Sequence, residues 1–141
     1  MRDRIFITEA DYEQLTQLVA GRRANGIDAP YLAELEQELE RAEVLSNGQQ
    51  IPADIVTMNS TVRLRDLDSG ELLEYALVFP RQNRDINAVS VLAPIGTAIL
   101  GYRVGSVIEL RVPKGVRRLE VLEVLFQPEA DALKSGEANA A

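Results

Sequence analysis

Gly96 and Gly101 are separated by four residues, which is the spacing of a phosphate-cradling loop. Such a loop needs a lysine on the phosphates and a hydroxyl on magnesium, but Tyr102-Arg103 occupies those positions, and the interior Thr97-Ala98-Ile99-Leu100 is apolar and helix-forming. Helix packing therefore explains the two glycines better. Glu34, Glu36, Glu38, Glu40 and Glu43 place carboxylates at i, i+4 spacing, yet hard cations take oxygens converging from several elements, and these radiate around one helix as a solvated face. Asp28 stands alone beside Arg22 and Arg23, and is read as the N-cap of the helix that follows. The chain has neither histidine nor cysteine. That removes Ser/His/Asp and Cys/His catalysis, zinc-thiolate sites and disulfides, and fits a reducing, cytoplasmic setting. No cofactor and no metal site is expected.

The elements that would position these residues can be read from periodicity and punctuation. Thr8 followed by Asp11 resembles a capping box, and Tyr12, Leu15 and Val19 form a narrow stripe, predicting a helix from about Glu9 to Ala20, ended by Gly21. Asn25-Gly26 marks a turn. A second helix carries Pro30 in its first turn and the seam Leu32, Leu35, Leu39 and Ala42. Two such helices make an antiparallel hairpin with arms of roughly 20 Å at ~1.5 Å per residue.

Ser46 to Pro52 is rich in polar and breaking residues, and the remainder reads as strands. Val62 and Leu64 alternate with Arg63 and Arg65; Asp68-Ser69-Gly70 is a hairpin turn; Leu73, Tyr75, Leu77 and Phe79 hold one face until Pro80. Val89 to Leu92 is a short strand. Pro94 opens a short helix with Ile95, Ala98 and Ile99 on its apolar face, and Gly101 closes it. Ile108, Leu110 and Val112 form another strand. The last, from Arg117 to about Gln127, is apolar on both faces in its second half, which predicts a central strand covered on both sides.

The predicted fold class is α+β: a short helical hairpin (1–46), a linker (47–52), an antiparallel sheet of about five strands with one short helix (53–127), and a tail (128–141) with nothing to bury and no expected order.

Charge constrains the partner. The net charge is −7; residues 1–50 hold 5 basic and 10 acidic side chains, and residues 51–127 hold 9 of each. No segment has the basic excess of a nucleic-acid binder, so a protein partner is expected. No apolar run has membrane-spanning length, and Ile5-Phe6-Ile7 is too short for a signal sequence. A soluble, cytoplasmic monomer is the expectation.

The order short helix, Gly-bracketed turn, strand, Pro113-Lys114-Gly115 turn, strand resembles the C-terminal domain of the Gre transcript-cleavage factors. Those factors carry a similar Pro-(Ile/Leu)-Gly-x-Ala-(Ile/Leu)-(Ile/Leu)-Gly-x-x-Val-Gly signature. With Asp54-Ile55-Val56-Thr57-Met58-Asn59-Ser60 and Leu119-Glu120-Val121-Leu122, the closer resemblance is to the regulators of nucleoside diphosphate kinase, Gre-like relatives with a shortened arm. It covers nearly all of the chain except its last dozen residues.

The resemblance implies an FK506-binding-protein-like sheet domain and a partner, RNA polymerase, bound at the rim of its secondary channel in competition with Gre factors. Any effect on nucleoside diphosphate kinase would then be indirect, through transcription. Gre factors dock partly through Asp-Ser-Pro before the short helix; the matching residues are Leu92, Ala93 and Pro94, of which the proline alone is kept. Gre arm tips carry acidic residues that help hold a catalytic magnesium. The matching tip here offers Asp28 beside Arg22 and Arg23 on a shorter arm, so a non-enzymatic regulator is expected. Residual transcript cleavage through Asp28 and weak prolyl isomerisation are the alternatives, the latter disfavoured because the chain has few aromatics and no tryptophan.

Overall fold

The computed structural model describes residues 4–46, 50–80 and 87–132. Its N-terminal part is closed by two strands that the sequence reading did not contain. β1 (Phe6–Thr8) pairs in parallel with β2 (Glu43–Leu45), Phe6 opposite Glu43 and Thr8 opposite Leu45. Three residues are too few to show alternation. A parallel pair needs a crossover connection, and the helical hairpin supplies it.

Thr8 caps α1 (Glu9–Ala24), its hydroxyl oxygen accepting from the Asp11 N–H at 3.1 Å. The helix does not stop at Gly21. A glycine ends a helix when it takes positive φ, and Gly21 does not; Gly26 does, at +80°. Asn25 is the C-cap, and Ile27 N–H donates back to the Arg22 carbonyl at 3.0 Å.

α2 (Pro30–Arg41) buries Leu32, Leu35 and Leu39 against α1, and Pro30 occupies its first turn. Asp28 is not its cap. Ala29 holds that position without a side-chain bond, and Asp28, one residue too early, is 95% exposed.

The main sheet contains β3 (Thr61–Asp66), β4 (Leu72–Val78), β5 (Ala88–Ser90), β6 (Val107–Val112) and β7 (Gly115–Phe126) in the order β5-β4-β3-β7-β6. Three ladders are antiparallel, but β4 and β5 pair in parallel. In the β3–β4 turn, the Asp66 carboxylate accepts from the Asp68 and Ser69 N–H groups at 2.8 and 3.0 Å and from Arg117. These bonds, the Ser69 N–H foremost, hold its carboxyl below the usual carboxylate range.

β7 is not covered on both faces. It lies next to central β3 but meets it with register shifts on either side of the Val62–Val124 and Arg63–Glu123 pairs. Arg63 faces Glu123 and Leu64 faces Val121, so two residues on β3 answer to three on β7. Each shift changes which parity points inward. The apparently two-faced run is one buried face with slipped register, and Leu125 and Phe126 remain 39% and 43% exposed.

The opposite face is solvated, with Arg63 bridging Glu74 and Glu123. The buried face, formed by Val62, Leu64, Leu77, Ile108, Leu119 and Val121, joins the hairpin seam in one continuous cluster. Half of the expected linker, residues 47–49, lies outside the described residues, as does the tail beyond 132. Residues 128–132, expected to lack order, form a helical turn. Its Glu129 accepts from the Thr57 hydroxyl at 2.6 Å, and Gln127 Nε2 donates to the carbonyls of Pro52 and Ile55 at 2.8 Å each.

Candidate functional site

α3 (Pro94–Ile99) is seated by contacts that only a glycine permits. A Cβ on Gly96 would lie 2.0 Å from the Ser90 carbonyl oxygen and 3.0 Å from Val91 Cα. Next to it, the Thr97 hydroxyl donates to the Val91 carbonyl at 2.5 Å. The inward face is therefore Gly96, Thr97 and Ile99, while Ile95 and Ala98, expected on it, are half-buried at its border. Gly101, at φ +83°, accepts from Phe6 N–H through its carbonyl and donates its own N–H to the Val56 carbonyl. Both glycines thus serve close backbone approach.

Seating α3 this way fixes Leu92, Ala93 and Pro94. Leu92 and Ala93 donate their N–H groups to the Ser90 hydroxyl and carbonyl, at 3.1 and 2.9 Å. Leu92 packs half-buried against the core, Ala93 is the extended N-cap, and Pro94 is exposed. Pro94 borders a cleft of about 610 Å³ between α2, α3 and β6. At one end of it, Arg41 reaches from α2 to the Tyr102 hydroxyl at 2.8 Å, with its guanidinium 5.7 Å from the ring centroid. Tyr102 is the one aromatic lining this cleft, which is unlike the aromatic-lined pocket a prolyl isomerase would need.

At the arm tip, Arg22 donates to the Tyr31 hydroxyl at 3.3 Å. Arg23 pairs with Glu36 across the hairpin and also lies 3.6 Å from the Asp28 carboxylate. The one tip carboxylate thus faces a cation, and among the described residues no three acidic side chains converge as metal ligands. That arrangement does not fit a magnesium site. The tip residues precede α2, whereas Pro94 flanks its middle turns through the cleft shared with Glu34 and Glu38.

The sequence reading missed the polar contacts that hold the arm to the sheet. Asp11, assigned to a reciprocal capping box, accepts instead from the Met58 N–H at 3.0 Å. Its carboxylate is shorter than the glutamate a capping box uses, and it faces the 57–60 turn. Burial, reinforced by the Glu129 charge, pushes the Asp11 carboxyl up to about 6. Asp at the third position after a capping threonine was the available signal. Nothing local pointed to Gln127 or Glu129, whose partners are 72 to 75 residues away.

Comparison with known proteins agrees with this architecture. Residues 51–126 match the family model for the C-terminal region of the transcription elongation factors GreA/GreB, and residues 3–45 match the model for the Rnk N-terminus. The chain is 42% identical over 131 residues to the regulator of nucleoside diphosphate kinase of Escherichia coli strain K12, covering 92% of this chain and 94% of that protein. It is 36% identical to the transcription elongation factor GreA of Chloroherpeton thalassium, covering 84% and 77% of the two chains. A solved prokaryotic transcription elongation factor GreA/GreB from Nitrosomonas europaea matches with a TM-score of 0.69 at 38% identity, over 89% of this chain and all (100%) of that one.

Helical N-terminal part, sheet and matched regions together define a protein of the GreA/GreB class. Within it, the chain belongs to the family of regulators of nucleoside diphosphate kinase.

Proposed function

We propose that this chain is a non-catalytic regulator that binds RNA polymerase at or near its secondary channel and competes there with Gre factors. Its effect on nucleoside diphosphate kinase would follow indirectly. The arm (1–46) and an FK506-binding-protein-like sheet domain (53–127) act in this reading as plug and dock. The observation that carries it is the arm itself. Helices of 16 and 12 residues, roughly 24 and 18 Å long, are joined to a sheet domain of GreA/GreB type and end in a tip whose lone Asp28 is held by Arg23. Such an arm fills a channel mouth without supplying a second carboxylate. No helix of the described residues is long and apolar enough to cross a membrane.

Purified protein is expected to retain core polymerase in a pull-down and to be displaced as a Gre factor is titrated in. No retention at micromolar concentration, or retention indifferent to the competitor, defeats the proposal. Within it, Leu92, Ala93 and Pro94 form the dock. Pro94→Arg changes an exposed position without touching the core, and is expected to weaken polymerase binding by about 1–2 kcal/mol, the range of an interface contact of middling weight. Leu92→Asp is the poorer probe because Leu92 packs on the core. Unaltered affinity with unaltered circular dichroism removes this surface.

A further inference from the structure

Among the described residues the sheet ends at an unpaired edge, and it opens into the cleft beside α3. β6 is the last strand of the order, joined to β7 by a turn that closes on the Val112–Gly115 pair. A two-residue hairpin turn makes that pair hydrogen-bonded. Alternation along the ladder then aims the main-chain groups of Ile108, Leu110 and Val112 at β7, and those of Val107, Glu109 and Arg111 outward. Among the described residues no backbone bond outside the ladders meets these outward groups.

The edge is also not blunted as isolated edges usually are: it has six regular residues, no proline, no bulge against β7, and Val107 46% exposed. Across the cleft stand Glu34 and Glu38 of α2, and Pro94 and Ala98 lie beside them. Glu34 is exposed, with no ion pair among the described residues, whereas Glu38 shares its carboxylate with Arg41 at 2.8 Å. The α2 wall facing the edge therefore presents the Glu34 carboxylate above an apolar shelf, while Arg111 and Arg118 line the strand side of the same cleft. The cleft volume, about 610 Å³, is in the range of ligand and short-peptide sites.

We propose that the β6 edge is a peptide-docking site, where an extended segment of a protein partner adds as a further strand through main-chain bonds to Val107, Glu109 and Arg111. A lysine or arginine at an inward position of that segment lays its aliphatic stem over Pro94 and Ala98 and brings its charge to Glu34. The proposal does not require that the partner be RNA polymerase, so peptide binding and polymerase retention stand or fall separately.

The probe is a fluorescein-labelled hexapeptide of alternating lysine and valine, followed by anisotropy with the full chain. Saturable binding at sub-millimolar concentration is expected, with none for the glutamate-valine analogue. A lysine-valine peptide N-methylated at alternate residues keeps its charge but loses its donors, and is expected not to bind. Glu109→Pro removes an outward N–H while leaving the bonds to β7 intact, and is expected to weaken binding about tenfold or more. Glu34→Lys, on an exposed helix face, is expected to weaken it severalfold and still reports if Glu109→Pro fails to fold. Absence of saturable binding, equal binding of the N-methylated peptide, or indifference to both substitutions in folded protein overturns the site.

Discussion

Gly96→Ala is expected to lower the stability of the protein by about 3 kcal/mol or more, whereas Gly21→Ala raises it by about 0.5–1 kcal/mol. The substitution is the same and its surroundings decide the sign. At Gly96 the new methyl would sit 2.0 Å from the Ser90 oxygen and 2.8 Å from the Ser90 carbonyl carbon. Both are backbone atoms, fixed by the parallel pairing of Ser90 with Val78 and by the Thr97 hydroxyl on the neighbouring carbonyl. The helix must lift off the sheet or the strand must bend. With a total stability of about 5–15 kcal/mol typical for a domain, Gly96→Val is expected not to fold.

At Gly21 nothing lies within 4 Å of the added atom, and φ is not in the left-handed region. There alanine simply restricts the unfolded chain and suits the helix. Urea midpoints followed by circular dichroism check both. A Gly96→Ala midpoint equal to the parent's would mean that α3 is not seated as described, and with it the placement of Pro94.

The same pair shows what the sequence could reveal. Gly96 and Gly101 were legible as helix punctuation and packing because the apolar interior between them excluded a phosphate loop. The strands were legible wherever alternation ran for five or more residues, as in Leu73 to Phe79. Gly21 misled because a glycine in sequence carries no φ; the Asn25-Gly26 step four residues later gives the chain its left-handed residue. Asp28 misled by one position.

Long-range partners left no local trace. The β1–β2 pair joins three residues at each end of the hairpin, Gln127 bonds to carbonyls far upstream, and the slips in β7 become visible only beside β3. For the candidate site, Pro94 was placed correctly at the start of its helix. The cleft it borders could not be read, because its walls come from α2, α3 and β6, which no single periodic pattern spans.

Asp11→Asn is expected to stabilise the protein above pH 7 and to flatten its stability profile between about pH 4 and pH 6. Burial raises the Asp11 carboxyl from 3.8 to about 6, with the Glu129 charge adding to it and the Met58 N–H and Thr8 opposing it. The folded protein therefore holds this proton over a range in which the unfolded chain has released it. The stabilisation is fully present below 3.8 and is lost as the pH rises through 6. Across that window of roughly two pH units the loss is on the order of 3 kcal/mol at ~1.4 kcal/mol per unit.

Asparagine keeps an oxygen for the Met58 N–H without the buried charge. Asp11→Ala removes that acceptor as well and is expected to be about 1–3 kcal/mol less stable than Asp11→Asn at all pH values. Asp66 contributes in the opposite sense: its lowered carboxyl stabilises the fold above its ordinary pKa and ceases to do so as the solution becomes more acid. Urea midpoints at pH 4.5, 6 and 8 separate the two, since only the Asp11 contribution disappears in Asp11→Asn. A variant less stable than the parent at pH 8 would show that the ionised carboxylate is needed there. The joint between α1 and the 57–60 turn would then be a charged anchor of the arm, and the burial argument would fail.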